Sequence, residues 1–135
     1  MSDVYLYDIQ KNTWNQVASM DKARQHHSCA VITTSSSSGN VVLVCGGSGS
    51  RDCEIYDAAT DSWTNGPSLP SSLGGSAMVT TAPNSAFNAF ILGGHDGSYS
   101  NKIHGVKDLT TVTLVGTLKE ERAFSVAFNG INGLC

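Results

Sequence analysis

Residues 41–63 read VVLVCGGSGSRDCEIYDAATDSW, and this stretch decides the fold. An apolar run ends at the glycine pair Gly46-Gly47, and a Tyr-Asp pair and then a tryptophan follow it. Apolar runs of about four to eight residues that are bounded by turn residues predict β-strands. Because residues 41–45 are apolar at consecutive rather than alternate positions, we expect this strand to be buried on both faces, between two neighbouring sheets.

The elements of this stretch recur along the chain. Tyr7, Asp8 and Trp14 return 49 positions later as Tyr56, Asp57 and Trp63. Two further sets fall in the same register, Met20 with Leu69 and Leu118, and Arg24 with Leu73 and Arg122. A second glycine pair, Gly93-Gly94, closes the apolar run at residues 90–92. Self-similarity at a fixed period of this length predicts one supersecondary unit that is used more than once.

Each unit predicts four strands with hairpin-like connections, which is typical of a four-stranded antiparallel sheet. One complete unit places its strands at residues 27–33, 41–45, 53–57 and 62–65, and the next at residues 76–81, 88–92, 102–107 and 112–116. Residues 3–18 supply only the third and fourth strands of a unit, and residues 123–128 begin a new first strand. No 3.6-residue periodicity competes with this pattern, so we expect an all-β fold.

The combined pattern resembles the kelch repeat, whose units are the four-stranded blades of a β-propeller. The resemblance covers nearly the whole chain and implies an outer half blade at residues 1–20, complete blades at 21–69 and 70–118, and the start of another blade at 119–135. The last complete copy departs from the pattern, because Val112 takes the tryptophan position and residues 105–107 stand where the Tyr-Asp pair is expected. Since propellers contain about four to eight blades, this content predicts a kelch-type propeller sector, a fragment of a larger ring.

Charge and composition narrow the class of partner. The 135-residue chain has eight Lys+Arg against eleven Asp+Glu, a formal net charge of −3, and it offers no basic stripe for nucleic acid. No apolar stretch approaches the roughly 20 residues of a membrane span. The first residues also lack the pattern of a secretory signal. We therefore expect a cytoplasmic protein that binds neither nucleic acid nor membrane.

The four cysteines, Cys29, Cys45, Cys53 and Cys135, do not have the spacing of a zinc site. Because the cytosol keeps thiols reduced, we expect all four to be free thiols. Cys29 and Cys45 lie inside apolar strand patterns, where a free cysteine behaves as a small hydrophobic residue. Neither a metal nor a cofactor is expected.

The candidate partner-binding residues lie in loops at one end of the predicted sheets. These loops are the linkers 21–26, 70–75 and 119–124 and the segments 48–52 and 95–101 that follow the glycine pairs. They contribute Arg24, His26, Arg51, His95, Tyr99 and Arg122. Guanidinium groups bind carboxylates in a bidentate manner and tyrosine adds contact area, so we expect a protein or peptide partner with acidic or polar groups. For Arg24 and Arg122, which recur at the repeat period, packing between blades is the alternative.

No arrangement of residues indicates an enzyme. Adjacent strand residues point to opposite faces, so the rings of His26 and His27 are not expected to converge on one metal ion. The sequence His95-Asp96-Gly97 follows a glycine pair, and this position predicts a turn rather than a catalytic pair. No serine nucleophile with its base, matched carboxylates or phosphate loop followed by a helix is evident.

The kelch resemblance also implies classes of function. In similar proteins these loops hold a short peptide of a partner protein, and many relatives present substrates to a cullin ubiquitin ligase as adaptors. Binding of actin or of the cytoskeleton is the alternative within the same fold. A copper enzyme similar to galactose oxidase is a third class, but the Tyr, Cys and His that it requires are not in a matching arrangement here. Exposed end strands of an incomplete ring additionally predict self-association.

Overall fold

A computed structural model describes residues 1–34, 39–82, 85–127, 129–130 and 133–134, and the regular elements in these ranges are all β-strands. In chain order they are β1 (Val4–Asp8), β2 (Thr13–Val17), β3 (Ser28–Thr33), β4 (Asn40–Cys45), β5 (Asp52–Asp57), β6 (Ser62–Ser68), β7 (Ala77–Thr80), β8 (Ala89–Leu92), β9 (Ser100–Lys107), β10 (Thr111–Arg122), β11 (Asn129–Gly130) and β12 (Gly133–Leu134). Within these ranges, no helix is long and apolar enough to cross a membrane.

The strands pair only with their neighbours in sequence, as hairpin connections require. The first sheet contains β1 and β2, the second sheet has the order β3-β4-β5-β6, and the third sheet has the order β7-β8-β9-β10. All pairs in these sheets are antiparallel. A separate short ladder joins β11 to β12. The predicted all-β fold of four-stranded, blade-like sheets is confirmed.

The core lies between the second and third sheets. Leu43 of β4 and Ile91 of β8 are fully buried and belong to one apolar cluster, which also includes Ile32 and Val106. Val44, on the opposite face of β4 from Leu43, is buried as well. Both faces of the consecutive apolar run are therefore covered, as the sequence predicts for a strand between two sheets.

The turn between β5 and β6 is built from the repeated residues. The carboxylate of Asp57 accepts a hydrogen bond from the backbone N–H of Ala59 at 2.8 Å, which closes the turn locally. The rings of Tyr56 and Trp63, directly opposite across β5 and β6, lie 5.0 Å apart. The indole N–H of Trp63 donates to the carbonyl oxygen of Ala18 at 2.7 Å. This bond joins the second sheet to the residues that follow the first.

The end of the third sheet differs from the prediction. Strand β10 continues to Arg122, so most of the linker predicted at residues 119–124 is strand. The prediction of a strand at residues 123–128 is wrong for residues 123–127, which are not in a strand. Phe128 lies outside the described residues. An apolar pattern makes a strand only where a partner strand accepts its hydrogen bonds. Here the N–H of Phe124 donates instead to the carbonyl oxygen of Gly75 at 2.6 Å.

The prediction of free thiols is wrong for two cysteines. Cys45 and Cys53 lie directly opposite on β4 and β5, with their Cα atoms 4.1 Å apart, and they form a disulfide. The hairpin register brings them together although they are eight positions apart in sequence. Cys29 is a free and exposed thiol rather than a packed one, and Cys135 lies outside the described residues. The expectation of free thiols followed from the expected cytoplasmic location, and the disulfide does not fit a compartment that keeps thiols reduced.

Candidate partner-binding face

Each glycine pair donates a hydrogen bond to the chain at or just beyond the end of the last strand of its own sheet. The N–H of Gly47 donates to the carbonyl oxygen of Leu73 at 3.0 Å, and the N–H of Gly94 donates to that of Arg122 at 2.9 Å. Gly46 has a positive φ of 69°, and a Cβ atom there would lie 2.5 Å from the Leu73 carbonyl oxygen. A side chain at this position would separate the linker from the sheet. The glycine pair therefore holds the next linker against the preceding sheet.

A second set of bonds joins the linkers to each other. His26, Gly75 and Phe124, spaced by the repeat period, all have positive φ. The N–H of Gly75 donates to the carbonyl oxygen of His26 at 2.7 Å, and the N–H of Phe124 donates to that of Gly75. The rings of His26 and Phe124 meet edge to face, 5.2 Å apart. These bonds assemble residues 24–26, 48–51, 73–75, 95–99 and 122–124 into one surface, which we call the loop face.

Five of the six candidate binding residues are exposed at the loop face. They are His26, Arg51, His95, Tyr99 and Arg122. The rings of His95 and Tyr99 lie 5.2 Å apart, and Nδ1 of His26 is hydrogen-bonded to the hydroxyl of Ser48 at 3.2 Å. Arg51 and Arg122 form no ion pair with any residue in the described part of the chain.

Sequence reasoning missed one aromatic residue of the loop face. The side chain of Phe124 is 66% exposed beside His26, although aromatic residues of this size are ordinarily buried. It lies two repeat periods after His26, so the sequence contained a signal that could have found it. Together with Tyr99, it gives the loop face two exposed aromatic side chains.

Arg24, the sixth candidate, is a packing residue. Its side chain is fully buried, and its Nη2 atom lies 2.7 Å from Oε1 of Glu54, whose side chain is 3% exposed. Nε also donates to this oxygen, while Nη1 donates to the carbonyl oxygens of Gly46 and Asp52, each at 2.8 Å. The structure thus supports the alternative for Arg24, in which the guanidinium packs within the fold instead of facing a partner.

Glu54 is a buried charge that the sequence did not reveal. Besides Arg24, its carboxylate accepts the backbone N–H of Asp21 at 2.7 Å and that of Lys22 at 3.4 Å. A buried carboxylate is stable only when it is paired and hydrogen-bonded, and these donors meet that requirement. A single glutamate within a β-strand pattern carries no signal of such a network.

His104, on β9, is buried in the third sheet and is only 2% exposed. Burial lowers its pKa below the usual histidine range, and the positive charge of Lys102 lowers it further. The pKa of His27 is lowered in the same direction, first by burial and then by Arg24. Both imidazoles are therefore held neutral at neutral pH.

We expect the stability of the chain to fall between pH 7 and pH 5. Because the pKa of His104 is lower in the folded state than its unfolded value of about 6.5, the unfolded chain binds more protons in this interval, and acidification favours unfolding. The lowered pKa values of Asp52 and Asp61 act in the same direction but below about pH 4. Urea unfolding across this pH range measures the effect. Substitution His104→Leu should reduce the slope, and an unchanged slope would contradict the assignment.

Side chains that could ligate a metal are spread apart over the described part of the chain. Within the described ranges, no three or more His, Cys, Asp or Glu residues are placed to hold a metal ion together. The ring of His26 contacts Ser48 and Phe124 at the loop face, whereas His27 lines a groove with Met20 and Tyr56. The two neighbouring histidines therefore do not converge.

Known proteins similar to this chain carry the same repeat. The family model described as the Kelch motif matches residues 33–70. An F-box/kelch-repeat protein of Arabidopsis thaliana is 34% identical over 47% of the chain. The human Kelch-like proteins 34 and 35 are 32% and 30% identical over 56% and 68% of it. The chain spans only 16%, 12% and 15% of the lengths of these three relatives.

One solved structure that aligns with this chain is a fungal alcohol oxidase in complex with copper. It aligns with 93% of this chain and 40% of its own at 16% sequence identity, with a TM-score of 0.47. Likeness at this level supports no conclusion about function.

Proposed function

Because the chain belongs to the kelch-repeat family, we propose that it is a non-enzymatic recognition module that binds a partner protein through the loop face. The observation that carries this proposal is the set of exposed aromatic and charged side chains on a hydrogen-bonded backbone. Loops that a rigid scaffold holds in place are where binding residues concentrate. The Kelch-like relatives support an interaction role for the repeat.

The side chains of the loop face suggest what the partner offers. Tyr99 and Phe124 are 56% and 66% exposed, and large aromatic side chains contribute strongly to protein interfaces. Arg51 and Arg122 are free to form bidentate bonds with carboxylates of a partner. We therefore propose a peptide segment with apolar and acidic residues as the ligand of this surface.

Substrate recognition for a cullin ubiquitin ligase is the finer form of this proposal. The kelch resemblance implies this role for many members of the family, and one relative is named an F-box/kelch-repeat protein. Actin binding remains the alternative that the resemblance allows, and no contact among the described residues favours it.

Photo-crosslinking from two matched positions tests the proposed surface. We would place benzoylphenylalanine at Tyr99 on the loop face, and in a second variant at Leu114 on β10, because these side chains are 56% and 59% exposed. The proposal expects a discrete protein adduct from position 99 in cell extract and none from position 114. Loss of that adduct in an Arg51→Ala/Arg122→Ala background would support binding through the arginines. Equal labelling from both positions would contradict a specific loop face.

A further inference from the structure

His104 takes in the third sheet the place that Glu54 takes in the second. Each residue lies on the third strand of its sheet, opposite the residue two positions before a glycine pair. The opposing residues are Val44, before Gly46, and Ile91, before Gly93. The two buried polar side chains can therefore be compared position by position.

Of the three residues that donate to Glu54, two are replaced around His104 by residues that lack the donor group, and the third, Lys22, corresponds to Ser71. At the repeat period, Leu73 replaces Arg24, so no guanidinium enters from the linker. Pro70 replaces Asp21 and has no backbone N–H to donate. The third sheet thus keeps a buried polar residue and lacks the charged side chain that would satisfy it.

A cavity of about 340 Å³ occupies this region of the third sheet. Its lining includes Pro70, Ser71, Leu73, Asp96, His104 and Glu121. Pockets that hold small ligands have volumes of about 300–1,000 Å³, so the cavity is large enough for a ligand group. We call it the His104 cavity.

His104 lines the cavity, and one of its two ring nitrogens, Nδ1, is buried and lacks a hydrogen-bond partner among the described residues. Buried polar atoms nearly always have a partner, and an orphaned one calls for a specific explanation. In the neutral tautomer that carries its proton on Nε2, the Nδ1 atom is an acceptor and the partner that it lacks is a donor.

The second sheet shows which donor fits. There, Nη1 of Arg24 donates to the carbonyl oxygens of Gly46 and Asp52. The same backbone pairing recurs in the third sheet, where the N–H of Gly93 donates to the carbonyl oxygen of Lys102 as that of Gly46 does to Asp52, both at 3.0 Å. The uncharged side chain of Leu73 supplies no donor to the corresponding carbonyl groups.

We propose that the His104 cavity binds the guanidinium group of an arginine side chain from the partner protein, in the place that Arg24 fills in the second sheet. This inference rests on the proposed function, because the arginine arrives on the protein that the loop face recognises. The planar guanidinium has N–H donors in several directions and can bond to the imidazole nitrogen and to backbone carbonyl groups together.

The charges around the cavity are consistent with a cationic ligand. Asp96 and Glu121 are exposed and line the cavity, and their carboxylates can pair with a guanidinium. Lys102 also lines the cavity and its positive charge repels a cationic ligand. The two carboxylates and this ammonium group together carry a net charge of −1. Asp96 lies on the same loop as His95 and Tyr99, whose rings are in contact. The cavity therefore adjoins the proposed partner surface.

Titration of the ¹⁵N-labelled chain with three probes tests the inference. Ethylguanidinium is the charged probe, ethylurea its neutral counterpart, and acetyl-Gly-Arg-Gly-amide carries the group on a peptide. We expect ethylguanidinium and the peptide to shift the His104 Nδ1 resonance saturably, and ethylurea to bind at least about tenfold more weakly, which corresponds to one charge-assisted hydrogen bond. If ethylguanidinium binds and the peptide does not, the result would contradict an arginine side chain of a partner as the ligand. No shift with any probe would leave water as the occupant and overturn the inference.

Variants separate the cavity from the rest of the surface. His104→Leu removes the acceptor and should weaken peptide binding, followed through the amide signals of Ser71 and Ser98, by at least about tenfold. His27→Leu makes the same chemical change away from the cavity and should alter binding less than about twofold. Leu73→Arg places a guanidinium in the cavity from within the chain and should abolish binding. If this variant does not fold, the two histidine variants still decide the question.

The two proposals fail in different ways. Specific crosslinking from Tyr99 without guanidinium binding would reject the cavity ligand and leave the loop face as the partner surface. Guanidinium binding without specific crosslinking would reject the proposed function and retain only a small-molecule site. If His104→Leu and His27→Leu bind the peptide equally, the assignment to the His104 cavity is wrong.

Discussion

Substitution Arg24→Leu is expected to lower the free energy of unfolding by about 3–5 kcal/mol, since removal of one partner leaves the other charge buried and unpaired. The ion pair that it breaks is almost fully buried, with side-chain exposures of 0% and 3%. The change also leaves the carbonyl oxygens of Gly46 and Asp52 without the donor that Nη1 provides. Urea unfolding followed by circular dichroism measures the loss. A loss below about 1 kcal/mol would instead be typical of an exposed ion pair and would contradict the burial described here.

A double substitution provides the matched control. Arg24→Leu/Glu54→His reproduces in the second sheet the pair that Leu73 and His104 form in the third. Because it removes both charges, it should be more stable than Arg24→Leu alone. If the double variant is as unstable as the sum of the two single variants, the residues do not interact.

Substitution Trp63→Ala is expected to cost about 3 kcal/mol, near the lower end of the range for large aromatic residues because the side chain is only half-buried. It removes the packing against Tyr56 and the hydrogen bond to Ala18. The second sheet would thereby lose a direct link to the residues that follow the first. Thermal and urea unfolding measure the change.

Trp14 is the equivalent residue one period earlier and serves as the control. It packs on Tyr7 with a ring distance of 4.8 Å, but its side chain is 68% exposed. Trp14→Ala should therefore cost about 1 kcal/mol or less, the contribution of one aromatic contact. Equal losses for the two variants would show that position in the repeat, rather than burial, sets the cost.

The sequence predicted the features that repeat. The apolar run before Gly46 and the Tyr56 and Trp63 signature are local patterns, and the positions of the strands in the second sheet follow from them. The loops after the glycine pairs were also located, because a glycine pair ends each central strand, whereas most of the linker predicted at residues 119–124 is strand. Such features depend on residues close together in the chain, so a single sequence reveals them.

The sequence did not predict the features that depend on pairing between distant residues. Arg24 and Glu54 are 30 positions apart, and periodicity alone left open whether the arginine packs or binds. The disulfide of Cys45 and Cys53 required the register of β4 and β5. The orphaned Nδ1 atom of His104 could be found only after Leu73 and Pro70 were placed beside it. Spatial neighbours, rather than residue types, decide each of these cases.

Hydrogen exchange at the glycine amides tests most directly whether the linkers and glycine pairs form one ordered loop face. Gly47 donates to the carbonyl oxygen of Leu73 in a linker and Gly94 to that of Arg122 at the end of β10, whereas the amide of Gly49, on an exposed turn, has no acceptor among the described residues. We expect the first two amides to exchange at least about 100-fold more slowly than that of Gly49, as amides in cooperative native structure do. Exchange at the same rate in all three would show that the linkers are not held against the sheets and would contradict the loop face.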